Sequence, residues 1–257
     1  MKYISSPDNP QMKFLKKLAN KKYRREEGKF FVENFVIIRD AIKGGYRFEQ
    51  LFVTKVFISK NQNKWNDLLA LVSEDQVCVM DEKLNASFSQ LDTPSGITAV
   101  YPMRKTPLDE TSSVIYLNGI NDPGNLGTLM RTALAFGISN VVVDAGCVDI
   151  YNAKAISASR EAIFKMNVHA DRDGEWIRSC GKDLTIVVAD ARGGMDLADF
   201  DIQGLKRFCL ILGSEAHGVS DPILERANEK VYIPISDKIE SLNVSAAAAI
   251  LLYHFKK

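Results

Sequence analysis

The chain has 257 residues, with 33 Lys and Arg against 32 Asp and Glu, 46% hydrophobic and 25% charged residues. Dominant disorder is excluded, because apolar content is high and the net charge is only +1. No apolar run approaches the roughly 18 residues needed to span a bilayer. The start, MKYISSPDNPQMK, has no apolar signal core, so a cytoplasmic chain without a membrane partner is expected. The length suits one large or two modest domains, and two are expected.

Cys78, Cys147, Cys180 and Cys209 form no CxxC pair, and His169, His217 and His254 do not cluster. A disulfide framework and a metal site are therefore not expected, and the thiols read as buried or neutral. The balanced charge hides an asymmetry. Residues 1–30 carry nine bases against three acids, a local +6, which leaves −5 for the rest. Met12, Phe14, Leu15 and Leu18 lie among those bases at roughly helical spacing, so the segment predicts a basic amphipathic helix. Such a helix suits a phosphate backbone, although a lysine-rich solvated face gives the same pattern.

In chain order, GKFFVENFVIIRDAIKGG predicts a short strand and an amphipathic helix stopped by Gly44-Gly45. The strand QLFVTKVFIS, a helix around WNDLLALVSE, the strand VCVM, a helical DEKLNASFSQL and the strand ITAVYPM complete a first α/β unit. The polar stretch Arg104–Ser113 is the expected linker, giving domains 1–105 and 106–257. Beyond it come the strand VIYLNGI, a helix over Leu126–Phe136, the strand NVVVD, a helix through AISASREAIF and the strand MNVHA. A helix at EWIRSC, strands LTIVVAD and RFCLILG, a helix PILERAN, the strand KVYIPI and a final helix to Lys257 follow. Nearly continuous Val/Ile/Leu strands separated by helices predict a parallel sheet covered on both faces, whose ligands bind at the carboxyl ends of strands.

Three segments at strand ends are richer in Gly, Asn, Ser and Glu than connectors require. In Asn121–Arg131, a guanidinium at Arg131 would fork onto a phosphate and the Asn125 amide would hold a hydroxyl or a ribose. Alternatively, Asn125 caps the helix and Arg131 is a surface residue. In Leu212–Gly218, Gly213 allows close backbone approach to a ligand, and Glu215 is either a cap partner or a functional carboxylate. His217 has no orienting acid visible in sequence and is not assigned as a base. In Ser241–Ser245, three polar side chains stand where one helix cap would suffice, which points to a polar pocket at a helix start. A GxGxxG dinucleotide fingerprint, a GxxxxGK[ST] phosphate loop and a GxSxG nucleophile elbow are all absent.

Together and in this order, the three segments resemble the SpoU (TrmH-type) RNA 2′-O-ribose methyltransferases of the SPOUT class. The matching residues are Asn125, Gly127 and Arg131; Gly213, Glu215 and Gly218; and Ile233, Pro234 and Ser241–Ser245. Ala216 departs from the glycine the family often carries there. Ile4–Lys13 and Lys21–Glu33 resemble the ribosomal-protein-like RNA-binding extension of ribosomal-RNA members. The resemblance implies an α/β fold in which a small RNA-binding domain precedes a parallel-sheet domain carrying a trefoil knot. It also implies S-adenosyl-L-methionine as donor, held around Leu212, Gly213, Glu215, Gly218, Ile233, Leu242, Val244 and Ser245. Asn125, Arg131, Ser241 and Asn243 would form the ribose and phosphate pocket, ordered by Glu215. A guanidinium stays protonated in proteins, so Arg131 is expected to clamp phosphate and stabilise the developing alkoxide.

The resemblance further implies that RNA, ribosomal RNA of the 23S type, would be met by Lys13, Lys16, Lys17, Lys21, Lys22, Arg24 and Arg25. A homodimer is implied as well. Independently of the resemblance, the terminal SAAAAILLYHFKK carries small residues at Ala246–Ala249 and a wide apolar surface at Leu251–Tyr253. The competing functional reading is a non-catalytic RNA-binding assembly factor that retains the knotted fold. Complete polar motifs count against it.

Overall fold

The computed structural model describes residues 1–181, 183–191 and 193–256, and these fall into two units. The first comprises Met1–Arg104 with the segment Tyr151–Ser157, and the second comprises Lys105–Ile150 with the rest of the chain. The break at Arg104 lies at the start of the expected linker. The return of Tyr151–Ser157 to the first unit, with Tyr151 tilted against Phe30 at 4.6 Å, is not part of a linear division at 105.

The first unit runs β1 (Lys2–Ile4), α1 (Pro10–Leu18), α2 (Lys21–Glu27), β2 (Lys29–Val32), α3 (Phe35–Lys43) and β3 (Gln50–Thr54). It continues with α4 (Lys55–Lys60), α5 (Gln62–Leu69), β4 (Val77–Met80), α6 (Glu82–Ala86) and β5 (Ile97–Pro102). Its mixed five-stranded sheet has the order β1-β4-β3-β5-β2, and the edge strand β1 was not foreseen. The expected strand QLFVTKVFIS stops at Thr54, because the Thr54 hydroxyl accepts the Phe57 N–H at 3.1 Å and caps a helix instead. The helix expected through DEKLNASFSQL is limited to α6.

α1 shows why the basic start folds as it does. Asn9 caps it and Pro10 opens it. Met12, Leu15 and Leu18 are fully buried with Phe31, Phe52 and Val100, while Lys13, Lys16 and Lys17 face solvent. In α2, Lys21, Lys22 and Arg25 are also exposed. Arg24 is not: only 4% of it is exposed, and its guanidinium donates to the Leu18 and Ala19 carbonyls at 2.9 and 2.8 Å. Those carbonyls end α1 without intrahelical partners, so Arg24 closes the helix pair and is removed from the expected RNA contacts.

The second unit runs β6 (Val114–Asn118), α7 (Pro123–Ala135), β7 (Asn140–Asp144), α8 (Ala153–Ser159), α9 (Ala162–Lys165), β8 (Asn167–Asp171) and α10 (Glu175–Ser179). Then follow β9 (Thr185–Ala189), β10 (Met195–Asp196), β11 (Phe208–Gly213), α11 (Asp221–Leu224), β12 (Glu229–Tyr232) and α12 (Val244–His254). All pairings in its seven-stranded sheet are parallel, in the order β10-β12-β9-β11-β6-β7-β8. Tyr116, Val188 and Ile211 look into one apolar layer with Ile177 and Ile223, while α7 and α12 pack together. The single helix expected through AISASREAIF is two, interrupted at Arg160, whose φ of +56° is left-handed. The expected extension of the last helix to Lys257 lies outside the described residues. The linker is docked by the buried Asn140, whose amide exchanges hydrogen bonds with the Asp109 backbone at 3.0 and 2.8 Å.

Replacing Arg24 with Ala is expected to lower stability by about 2–4 kcal/mol, because two charge-assisted hydrogen bonds disappear and two carbonyls lose a partner. Lys16→Ala, on the solvent face, should change it by less than about 0.5 kcal/mol. Urea unfolding followed by circular dichroism measures both.

Candidate functional site

The site lies at the carboxyl ends of the second unit's strands. Asp122, not Asn125, caps α7, its carboxylate accepting the Asn125 N–H at 2.7 Å. The Asn125 side chain is thereby free to point elsewhere, and its amide donates to Glu215 Oε1. Asn243 Nδ2 donates to the same oxygen at 2.9 Å and to Asn125 Oδ1 at 3.1 Å. The Ser245 hydroxyl lies 3.3 Å from Asn125 Oδ1 and from the Asn125 carbonyl. Asn243 serves two purposes, since its own Oδ1 accepts the Ser245 N–H at 2.9 Å and caps α12. Asn243 therefore caps α12 and at the same time meets Glu215 and Asn125.

Glu215 is presented by a closed loop. Ser214 and Gly218 exchange backbone hydrogen bonds at 3.1 and 2.8 Å, and the Ser214 hydroxyl accepts the His217 N–H. Gly218 has a φ of +68°, which favours glycine. A Cβ on Gly213 would stand 2.1 Å from the Gly218 carbonyl carbon. One close approach that Gly213 permits is thus made by the chain's own backbone. Ala216 has no left-handed φ, so its methyl group costs the loop nothing.

A second hydrogen-bonded set, which sequence reasoning missed, anchors this loop. Asp144, at the end of β7, accepts from the Asn118 amide and, at 3.0 Å, from the Gly119 N–H. Asn118, at the end of β6, accepts the Ser220 N–H at 2.8 Å. The only signal for it was polar residues closing two otherwise apolar strands, VIYLN and NVVVD. Beneath it, the buried Cys147 thiol donates to the Leu117 carbonyl and is pushed up to about 12 by burial, which makes it a structural thiol.

Beside the Glu215 loop opens a pocket of about 350 Å³, within the size range of small-ligand sites. Leu212, Gly213, Glu215, Gly218, Ile233, Ser241, Leu242 and Val244 line it. Ser245 does not; it joins Asn125 instead. Asp190, Tyr232 and Glu240 line it too, and sequence reasoning did not single them out. Arg131 is exposed, and no hydrogen bond or ion pair of its side chain occurs among the described residues. Six residues along α7, it projects from a different side than Asn125, so the structure does not bring it into the Asn125–Glu215–Asn243 cluster. No group of three or more His, Cys, Asp or Glu arranged for a metal ion occurs among the described residues.

What the arrangement offers chemically is a set of amide donors and acceptors, joined by a carboxylate that also lines a pocket of mixed polar and apolar walls. Such a rim orients a polyhydroxylated substrate without forming a bond to it. Residues 112–253 match the SpoU rRNA Methylase family, and residues 9–99 match the MRM3-like substrate binding domain. The chain is 30% identical, over the whole of both sequences, to the 23S rRNA (guanosine(2553)-2′-O)-methyltransferase RlmP of Bacillus subtilis. It is 26% identical to the 23S rRNA (uridine(2479)-2′-O)-methyltransferase of Streptomyces viridochromogenes, covering 92% of this chain and 85% of that one. The solved SpoU methyltransferase AviRb of Streptomyces viridochromogenes, in complex with AdoMet, shares the fold. It superposes with a TM-score of 0.82 at 23% identity, covering 96% of this chain and 97% of the other. With more than half its length matched by one family model and full-length identity of 30% to one of its characterised relatives, this chain belongs to the SpoU rRNA methylase family.

Proposed function

We propose that the chain transfers a methyl group from S-adenosylmethionine to a ribose 2′-oxygen of ribosomal RNA, of the 23S type, in the cytoplasm. The observation that carries this reading is the meeting of Asn125, Glu215 and Asn243, residues 90, 28 and 118 apart in sequence, on shared hydrogen bonds at one pocket rim. The pocket fits the donor in kind: Leu212, Ile233, Leu242 and Val244 give apolar walls for a purine. Asp190, Glu215 and Glu240 supply acceptors for ribose hydroxyls or an ammonium group. When bound, S-adenosylmethionine supplies an activated methyl on a sulfonium, so the chain's task is orientation. Glu215 accepts from both amides and fixes which way Asn125 and Asn243 face. Their remaining donor and acceptor capacity is then aimed at the nucleotide. Arg131, exposed on α7 with a planar guanidinium, suits a phosphate of that nucleotide. Lys13, Lys16, Lys17, Lys21, Lys22 and Arg25 form the solvent face on which the RNA would lie. The trefoil knot belongs to the same proposal, supported by the return of Ser241–Ser245 against α7 and the Glu215 loop.

Self-association is part of the reading, with a changed surface. Ala248, Leu251 and Leu252, expected at a dimer contact, are buried within their own subunit at 0–1% exposure. A helix apolar all round has no phase from which to read its outer face. The surface left open is Ile250 and Tyr253, at 44% and 73% exposure, beside a broad groove that includes Leu197, Ile233 and Pro234. Burying that surface across a two-fold axis would brace the Ile233 end of the pocket.

Methyl transfer to 23S rRNA, read by tritium incorporation and by mapping the 2′-O-methylated nucleotide, tests the activity. Asn243→Asp keeps the helix cap but replaces the amide donor that meets Glu215 with a second carboxylate. It is expected to cut transfer by about 100-fold or more with little change in melting temperature. Arg131→Ala should produce a loss of similar size, and wild-type rates in both variants would refute the site. Asn118→Ala leaves the Ser220 N–H without its partner and should raise the KM for S-adenosylmethionine more than it lowers kcat. Light scattering should give twice 28.6 kDa for the wild type, and Ile250→Asp should return the mass to one subunit.

A further inference from the structure

Neighbouring residues of α2 are put to opposite uses. Arg24 turns inward to the end of α1, whereas the Tyr23 ring next to it remains open to solvent, at 36% exposure. Lys17 Nζ lies 5.8 Å from the centre of that ring and Lys22 Nζ lies 6.0 Å from it. Lys17 comes from the last turn of α1 and Lys22 from the first turn of α2, so each helix contributes one ammonium group beside the ring. Both distances are at the outer limit of cation–π reach, which leaves the ammonium groups able to swing onto another partner.

The corner that carries the ring is rigid. Asn20 caps α2 through the Lys22 N–H at 2.9 Å, Arg24 ties α2 to the end of α1, and Gln90 Nε2 donates to the Ala19 carbonyl at 2.7 Å. A ligand meeting Tyr23 would therefore order few new atoms, which favours binding. The surroundings are basic. Asp8 pairs with Lys13 and Glu26 approaches Lys22 at 3.9 Å, but Lys16, Lys17, Lys21 and Arg25 are exposed without a carboxylate partner among the described residues. Tyrosine is a poorer helix former than the Lys and Glu around it, and this one adds nothing to the apolar core under α1. A phosphate backbone alone is served by the lysines. An aromatic face set among them adds affinity for a flat ligand, and within RNA the flat groups open to stacking are unpaired bases.

We propose that Tyr23 is a stacking platform for an unpaired nucleobase of the substrate RNA, with Lys17 and Lys22 holding the phosphates on either side of that nucleotide. The proposal rests on RNA being the substrate, and goes beyond it by selecting a single-stranded element over a helix.

The test uses the full chain, a fluorescein-labelled 12-nucleotide oligouridine and a labelled 12-base-pair RNA duplex, with binding followed by anisotropy over a range of salt. Tyr23→Ala should weaken oligouridine binding by about 5- to 100-fold, leave its salt slope unchanged and spare the duplex. Tyr23→Phe should bind like the wild type, since stacking uses the ring and not the hydroxyl. Lys17→Ala should lower the salt slope on oligouridine by about 0.7. A Tyr23→Ala chain that binds oligouridine as tightly as the wild type, or that loses both RNAs equally, overturns the platform alone. A wild-type chain that binds neither RNA overturns the RNA reading along with it.

Discussion

The candidate site of the second unit is joined at one carboxylate oxygen. Glu215 Oε1 accepts from Asn125 and from Asn243, and through it the start of α7, the loop after β11 and the start of α12 are held at fixed distances. The bonds lie at an exposed rim, where each contributes only modestly to stability. Their value is orientational. An asparagine amide has two ends that differ chemically but hardly in shape, and only a fixed acceptor decides which end faces outward. The arrangement also requires that Asn125 be released from capping duty, which Asp122 accomplishes by taking the first turn of α7.

Beneath that rim, backbone geometry carries what side chains cannot. The Ser214–Gly218 loop closes on itself so tightly that Gly213 admits no side chain at all. Asn118 and Asp144 then tie the loop's far end to β6 and β7, so the loop is anchored at both sides by strands buried on both faces. Ligand-binding loops are commonly the least stable parts of a fold. Here the loop is short, internally bonded and fastened to the centre of the sheet, which suits a site that acts by holding its substrates in place.

The parallel sheet was legible because its strands are unbroken runs of Val, Ile and Leu, and the meeting of the three segments was legible because polar clusters close such runs or open helices. What was not legible has identifiable causes. Arg24 sits in KKYRREE, a helix with no apolar residue beyond Tyr23, so no periodicity shows which side faces in; its role is set by the end of another helix. Thr54 falls inside a ten-residue stretch rich in Val, Phe and Ile, and a capping hydrogen bond marks where its second half becomes a helix. α12 is apolar on every side, so Leu252 and Ile250 look alike in sequence although one is buried and the other is open. Arg131 matches a motif by spacing, but six residues on a helix place it on another side from Asn125.

The sequence distance between the members of the Glu215 junction has a consequence in time. Ribosomes add roughly 5–20 residues per second, and domains fold as units as they emerge. Some 118 residues separate Asn125 from Asn243, so roughly 6–24 s pass between the synthesis of one and of the other. During that interval α7 can form, but nothing fixes the orientation of its asparagine, and the pocket beside the Glu215 loop lacks the wall that Leu242 and Val244 complete. The basic helices α1 and α2 have been made long before. A nascent chain therefore passes through a stage in which its cationic surface exists and that pocket does not.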